Sequence, residues 1–213
     1  MKKVYFKSIH KMLTFTESII TIYFESPIIY RNLHYTLEEE LLFSDEDNML
    51  EFNSNVYVLY NLFQDLLIDK KIINALYKKL EKSINVEAKE KIESLKEQFI
   101  SILKHISLDL DFPIQYNEDF SFSKLLTLFQ VGFEELKENN YLEILVSFFR
   151  IVSELLNINL FITFDLASYL IEEEYLLLKN ELLMLNIYVL DLCYTPKYFQ
   201  NKCLLIDSDW CII

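Results

Sequence analysis

The residues most capable of chemistry lie in an acidic stretch near the middle of the chain. Positions 109–119 hold four carboxylates and Asn117; the carboxylates are Asp109, Asp111, Glu118 and Asp119. Calcium takes about six to eight oxygen ligands, many of them from carboxylates and amide carbonyls. The spacing is not that of an EF-hand, so two interpretations stay open. The stretch is either a calcium site or a solvated loop in which Asp119 caps the next helix.

Basic residues concentrate just before this acidic stretch. Positions 70–104 contain nine lysines and five glutamates, whereas positions 105–140 contain seven acids and two lysines. Lysines grouped in this way can bind the phosphates of a nucleic acid. They can equally form the solvated face of helices, paired with glutamates one turn away. The candidate DNA-binding residues are Lys70, Lys71, Lys78, Lys79 and Lys82.

Several classes of active site are excluded by residue type and spacing. Gly132 is the single glycine, whereas the Walker loop and the dinucleotide-binding fingerprint each need at least two. The histidines His10, His34 and His105 form no pair at the spacing of metal ligands, which argues against zinc. The acidic segments 172–174 and 207–209 have no histidine or cysteine partner at a spacing useful for acid–base chemistry. We therefore expect a protein that is not an enzyme.

Composition indicates a folded acidic protein. Of the 213 residues 52% are hydrophobic, which excludes intrinsic disorder. Lysine and arginine number 20 against 33 acidic residues, a net charge of −13. No apolar run approaches the roughly 18 residues of a membrane-spanning helix, so we expect a cytoplasmic protein without a membrane partner. The three cysteines, Cys193, Cys203 and Cys211, lack metal-site spacing and are expected to be reduced thiols.

Five short apolar runs predict strands. They are 19–24, 55–60, 160–164, 187–192 and 204–207. Continuous apolar runs are typical of strands buried on both faces, as in a parallel sheet. Ser26 followed by Pro27 predicts a helix start directly after the first run. The stretch 168–184 is interpreted as a crossover helix between two parallel strands.

The middle of the chain has helical rather than strand periodicity. Apolar residues recur at helical spacing in two segments separated at Asn85; in the second they are Ile92, Leu95, Phe99, Ile102, Leu103 and Ile106. We interpret 70–108 as an antiparallel helical hairpin projecting from the sheet. Further helices are predicted over 123–130 and 141–156. The predicted organisation is an α/β head, 1–69 with 138–213, into which an α-helical leg, 70–137, is inserted.

The order of these parts resembles the small adaptation protein of type II-A CRISPR systems, which is distinct from the integrase and from the RNA-guided nuclease. The resemblance extends over nearly the whole chain from about residue 4. It rests on 19–25, 27–33, 50–60, 72–82, 108–111, 122–129, 160–164, 169–174, 185–191 and 206–209. The closing segments, in which strands 160–164 and 187–191 flank a helix, carry most of it.

The resemblance implies both a fold and a function. The implied fold is an α/β head with a mainly parallel sheet, related to P-loop ATPases but without a phosphate loop, plus a helical leg. The implied assembly is a homotetrameric ring that binds ends of double-stranded DNA, needs calcium, lacks ATPase activity and supports spacer acquisition. Its partners would be the integrase and the RNA-guided nuclease of the same system. Asp109, Asp111, Glu118 and Asp119 fall where the family has its calcium carboxylates.

The sequence also departs from this family. Residues 14–17 stand where members usually carry a glycine pair, and Lys124 stands where an acid is expected. Two other kinds of function stay open on the residues alone. One is an α/β protein-interaction scaffold that binds no nucleic acid. The other is a hydrolase that uses a metal with Asp109 or Glu118.

Overall fold

The computed structural model describes residues 1–46, 48–61, 69–110, 112, 115, 121–133, 140–194 and 204–213. The chain divides into two compact units. The first, Met1–Leu66 with Leu136–Ile213, contains all the described strands and is called the α/β unit. The second, Leu67–Glu135, is called the helical unit.

The described strands form two sheets. In chain order they are β1 (Lys2–Phe6), β2 (Lys11–Thr14), β3 (Ile19–Phe24), β4 (Leu41–Asp45), β5 (Asn48–Leu50), β6 (Val56–Leu59), β7 (Leu160–Phe164), β8 (Tyr188–Cys193) and β9 (Leu204–Ile206). One sheet has the order β6-β7-β8-β3-β9, and every pairing in it is parallel. The other has the order β2-β1-β4-β5 and is antiparallel. The five predicted parallel strands are confirmed, and the fold is α/β.

The antiparallel sheet was not predicted from the sequence. In β1 the buried residues Val4 and Phe6 alternate with half-buried Lys3 and Tyr5, the pattern of a strand covered on one face. β4 begins at Leu41, directly where the first helix ends, inside a stretch rich in acids. Short, partly charged strands such as these become stable only through pairing with distant segments.

The described helices are α1 (Pro27–Glu40), α2 (Phe52–Asn55), α3 (Lys70–Ser83), α4 (Val86–Leu108), α5 (Phe122–Leu128), α6 (Tyr141–Leu156) and α7 (Glu172–Met184). The predicted start of α1 is confirmed, because Ile29 N donates to the Oγ of the N-cap Ser26 at 3.4 Å. The crossover helix α7 begins four residues later than predicted. The chain between β7 and α7 forms instead a 3₁₀ helix, Leu166–Tyr169.

Both faces of the parallel sheet are covered. On one face, α1 and the antiparallel sheet enclose a core that includes Phe6, Leu33 and Ile162. On the other face lies α6, where the ring of Phe149 meets that of Phe161 at 4.9 Å and 90°. Full burial of a phenylalanine side chain stabilises the folded state by about 1.5–3 kcal/mol. Burial from both sides explains why the strands read as continuous apolar runs.

The helical unit contains α3, α4 and α5. Asn85 caps α4 through a 2.8 Å bond from Ala88 N, so the predicted break at this residue is confirmed. The backbone N–H of Ser123 at the start of α5 donates to Glu81 of α3 at 3.2 Å, which joins these two helices. The N-cap of α5 is Ser121 rather than Asp119.

The apolar row of α4 does not have the burial that a packed hairpin requires. Leu95, Phe99, Ile102 and Ile106 are 62%, 59%, 54% and 50% exposed. Ile92 and Leu103 of the same row are half-buried, as is Ile100 on the adjoining side of the helix. The two helices are therefore correctly predicted, and the apolar row of the second is covered only in part.

Two further expectations concern membranes and thiols. Among the described residues, no helix combines the length and apolarity needed to cross a bilayer. Cys193 is buried and Cys211 exposed, and both are free thiols. Cys203 lies outside the described residues.

Candidate functional site

The five candidate lysines all lie on α3 and are all exposed. Lys71, Lys78 and Lys82 follow one another at intervals of seven and four residues, which places them on one face of the helix. At about 1.5 Å per residue, they cover about 16 Å along the helix axis. Lys70 and Lys79 border this row on either side. We call the five lysines together the α3 basic face.

The opposite side of α3 anchors the helix. Ile72 is fully buried, and Leu76 and Leu80 are half-buried. The single acid within α3, Glu81, accepts the bond from Ser123 N. The amphipathic pattern thus turns the lysines outward, and the helix concentrates positive charge within a chain whose net charge is −13.

The structure describes one of the four predicted calcium ligands. Asp109 is exposed and forms the C-cap of α4, where its N–H donates to Ile106 O at 3.2 Å. Asp111, Glu118 and Asp119 lie outside the described residues. Within the described part of the chain, no group of three or more histidines, cysteines or acids is arranged to hold a metal. The calcium site therefore stays a prediction.

A second cluster lies at the carboxyl ends of the parallel strands, where α/β proteins commonly bind ligands. Asp165 follows β7 directly and has a φ of 57°. One of its carboxylate oxygens accepts the N–H of Tyr194 at 2.9 Å, just beyond β8. The other accepts a short hydrogen bond from the Tyr30 hydroxyl of α1. Burial, followed by this bond to Asp165, raises the pKa of Tyr30, so its phenol remains a donor.

Aromatic rings fill the same edge of the sheet. The His34 ring stacks on Phe164 with centroids 3.7 Å apart and planes at 15°. Tyr60 stacks on the same phenylalanine at 5.7 Å and 14°. Burial lowers the pKa of His34, and the nearby Asp165 carboxylate partly opposes this shift. The arrangement ties α1 to the ends of β6 and β7.

His34 is expected to make the α/β unit less stable in mild acid. Its ordinary pKa is 6.5 and its pKa in the folded chain is lower, so the unfolded chain binds the proton more readily. The free energy of unfolding therefore falls as pH decreases below about 6.5. We expect wild type to lose more stability than His34→Phe between about pH 7.5 and about pH 5.5. Urea unfolding monitored by the fluorescence of the single tryptophan, Trp210, measures this.

Trp210 is a suitable reporter because its ring packs against Phe6 and Phe24 in the α/β unit, at 5.9 and 6.5 Å. The matched control is His105→Gln, which changes an exposed histidine of the helical unit. The control should keep the pH dependence of wild type. Equal losses of stability in wild type and His34→Phe would contradict the assignment to His34.

Asp191 of β8 organises the strand ends from within the core. It is fully buried, and its carboxylate accepts the Thr163 hydroxyl and the N–H groups of Leu166 and Ala167, each at 2.9 Å. The Cys193 thiol donates to it at 3.0 Å. Burial raises the pKa of Asp191, and these four hydrogen bonds lower it. Burial also raises the pKa of the Cys193 thiol, which disfavours the reactive thiolate.

Sequence reasoning missed both aspartates of this edge. Asp165 ends the apolar run of β7, and Asp191 interrupts that of β8. A lone acid inside or directly after a buried strand was the available signal, because a buried carboxylate requires hydrogen-bond donors. Its partners are not deducible from sequence, since Tyr30 lies 135 residues from Asp165.

Comparisons with known proteins leave the family open. No protein-family model matches this sequence, and a search of curated proteins found no match. The resemblance to the CRISPR adaptation protein therefore rests on the order and residues of the sequence segments alone.

Proposed function

We propose that this chain is a non-enzymatic protein that binds the ends of double-stranded DNA through the α3 basic face. The observation that carries the proposal is the row formed by Lys71, Lys78 and Lys82, exposed and about 16 Å long. Duplex DNA carries one negative charge per roughly 1.7 Å of its axis, so such a row can contact several phosphates. Contacts of this kind bind without reading sequence.

The strand ends of the α/β unit support a role without catalysis. Glu25 and Ser26 connect β3 to Pro27, the first residue of α1, where a P-loop would have glycines. Glu25 N already donates to Ile206 O at 2.9 Å, and proline has no N–H to offer a phosphate. The Cys193 thiol is buried and disfavoured as a thiolate. We therefore assign the parallel sheet a structural role and relate it, as part of the proposal, to P-loop ATPases that have lost the phosphate loop.

The wider function follows the family resemblance. It comprises a homotetrameric ring, support of spacer acquisition in type II-A CRISPR immunity, and contact with the integrase and the RNA-guided nuclease. Calcium would be held by Asp109, Asp111, Glu118 and Asp119. Asp109 lies at the C-terminal end of α4, where the partial negative charge of the helix favours a cation nearby. The ion would offset carboxylate repulsion in this segment.

The test compares linear and covalently closed duplexes of the same sequence. Binding of the full chain is measured at about 50 mM salt, with calcium and with chelator. We expect linear DNA to bind more tightly than closed DNA, and the preference to disappear with chelator. Equal binding to both forms would contradict recognition of ends. In the variant Asp109→Ala/Asp111→Ala, which lacks two of the proposed calcium ligands, we expect DNA binding to be the same with calcium and with chelator.

A second candidate function is an interaction scaffold without nucleic-acid binding. It is favoured by the exposed apolar row of α4, because large exposed apolar patches commonly mark protein interfaces. The measurement of binding to linear and closed duplexes distinguishes the scaffold from the DNA-binding protein. Failure to bind either DNA form at low salt would reject the DNA-binding proposal and favour the scaffold.

A further inference from the structure

One face of α4 exposes a row of large apolar side chains, which we call the α4 stripe. Its members are Leu95, Phe99, Ile102 and Ile106, each at least half exposed. They extend over about 16 Å of the helix, at about 1.5 Å per residue. Exposed apolar side chains scattered singly are normal, but a contiguous row marks a binding surface. The stripe needs a partner that presents a complementary apolar row.

The spacing identifies that partner as a helix. The intervals between stripe residues are four, three and four. This is the heptad spacing of a coiled coil, with Phe99 and Ile106 at position a and Leu95 and Ile102 at position d. The half-buried Ile92 continues the series at the preceding a position. Side chains at a and d interlock with those of a second helix, which is the partner that such a row accommodates.

The charges beside the stripe select the kind of helix. In this register the e positions are Lys89, Lys96 and Leu103, and the g positions are Lys91, Gln98 and His105. The four glutamates of α4, at 87, 90, 93 and 97, fall at positions b, c and f, away from the seam. Residues at e and g pair with those of the partner helix and set partner choice. Because the e and g positions of α4 include lysines and no acid, a partner helix with acidic residues at its own e and g positions is favoured.

A second copy of α4 is a poor match for the same reason. In a parallel pair, Lys91 of one helix would face Lys96 of the other. In an antiparallel pair, e positions face e positions and g positions face g positions, so no lysine meets an acid. Like charges placed opposite each other disfavour association.

Existing ion pairs do not prevent this docking. Lys91 Nζ lies 2.5 Å from Glu87 and Lys96 Nζ lies 3.5 Å from Glu93, both within α4. The Lys91 pair is exposed and Lys96 is half-buried, and pairs one turn apart on a helix surface contribute only a few tenths of a kcal/mol, about 0.2–0.5, to stability. The two lysines can therefore turn towards carboxylates of a partner at small cost.

We propose that the α4 stripe docks an amphipathic helix of another protein, whose apolar seam is flanked by glutamate or aspartate. This surface is separate from the α3 basic face, so the proposal stands independently of DNA binding. Apolar contact supplies the affinity, and the flanking charges supply the choice of partner.

The probe is a designed helical peptide of about three heptads, with leucine at a and d and glutamate at e and g. Its counterpart has the same core with lysine at e and g. Binding of each labelled peptide to the full chain is followed by fluorescence anisotropy, without DNA. We expect the acidic peptide to bind about tenfold or more tightly than the basic one. The charge-reversed variant Lys89→Glu/Lys91→Glu/Lys96→Glu should invert this preference.

The matched pair of variants is Phe99→Gln and Val86→Gln. Phe99 lies in the stripe and Val86 on the opposite side of the same helix, and both are exposed, at 59% and 75%. Phe99→Gln should lower the affinity for the acidic peptide about tenfold, because it removes a central apolar contact. Val86→Gln should leave this affinity unchanged. Equal binding of both peptides, binding of neither, or equal effects of the two variants would overturn the proposal. Self-association through the stripe would also overturn it. Sedimentation would then show an oligomer for wild type and for Val86→Gln, and a monomer for Phe99→Gln.

Discussion

Replacing Lys71, Lys78 and Lys82 together with glutamine is expected to weaken binding to linear duplex DNA about 100-fold at about 50 mM salt. The three side chains form the central row of the α3 basic face, and each is exposed. Each lysine that neutralises a phosphate releases about one condensed counterion. The slope of log affinity against log salt should therefore become shallower by about three in the variant.

The control for this variant removes the same charge from the other unit. Lys3, Lys7 and Lys11 belong to the α/β unit, and their joint change to glutamine alters the net charge of the chain equally. Titrations of a labelled duplex at several salt concentrations give both affinity and slope. If the control weakens binding as much as the α3 variant does, the effect is one of net charge, and the assignment of DNA contacts to α3 is wrong.

Asp191→Ala is expected to lower the free energy of unfolding of the α/β unit by about 3–4 kcal/mol. The substitution removes the acceptor for the Thr163 hydroxyl and for two backbone N–H groups, those of Leu166 and Ala167. All these donors are buried, and water cannot replace the lost acceptor without opening the core. Urea unfolding followed by Trp210 fluorescence reports on this unit.

Milder variants test the same network if Asp191→Ala does not fold. Thr163→Val removes one of the four donors and should cost about 1–2 kcal/mol. Asp209→Ala changes an exposed aspartate and should stay within about 0.5 kcal/mol of wild type. A Thr163→Val protein as stable as wild type would contradict the contribution of the Thr163–Asp191 hydrogen bond to the stability of the α/β unit.

The sequence by itself determined the elements whose signals are local. Burial from both sides made the strands of the parallel sheet apolar throughout, so runs such as Leu160–Phe164 were recognisable. Ser26 and Asn85 marked helix starts because a capping side chain bonds to an N–H only three residues ahead. The 3.6-residue period likewise places Lys71, Lys78 and Lys82 on one face of a helix.

Tertiary structure decided what depends on distant partners. The antiparallel sheet arises only when β1 pairs with β4, some forty residues away in the chain. Asp165 and Asp191 acquire their positions from donors on other elements, and Tyr30 reaches Asp165 across 135 residues. The exposure of Leu95 and Phe99 was likewise undetermined, because an apolar row has the same spacing whether it is covered by its own chain or left for a partner. Periodicity fixes which residues share a face, and only the folded chain determines what that face meets.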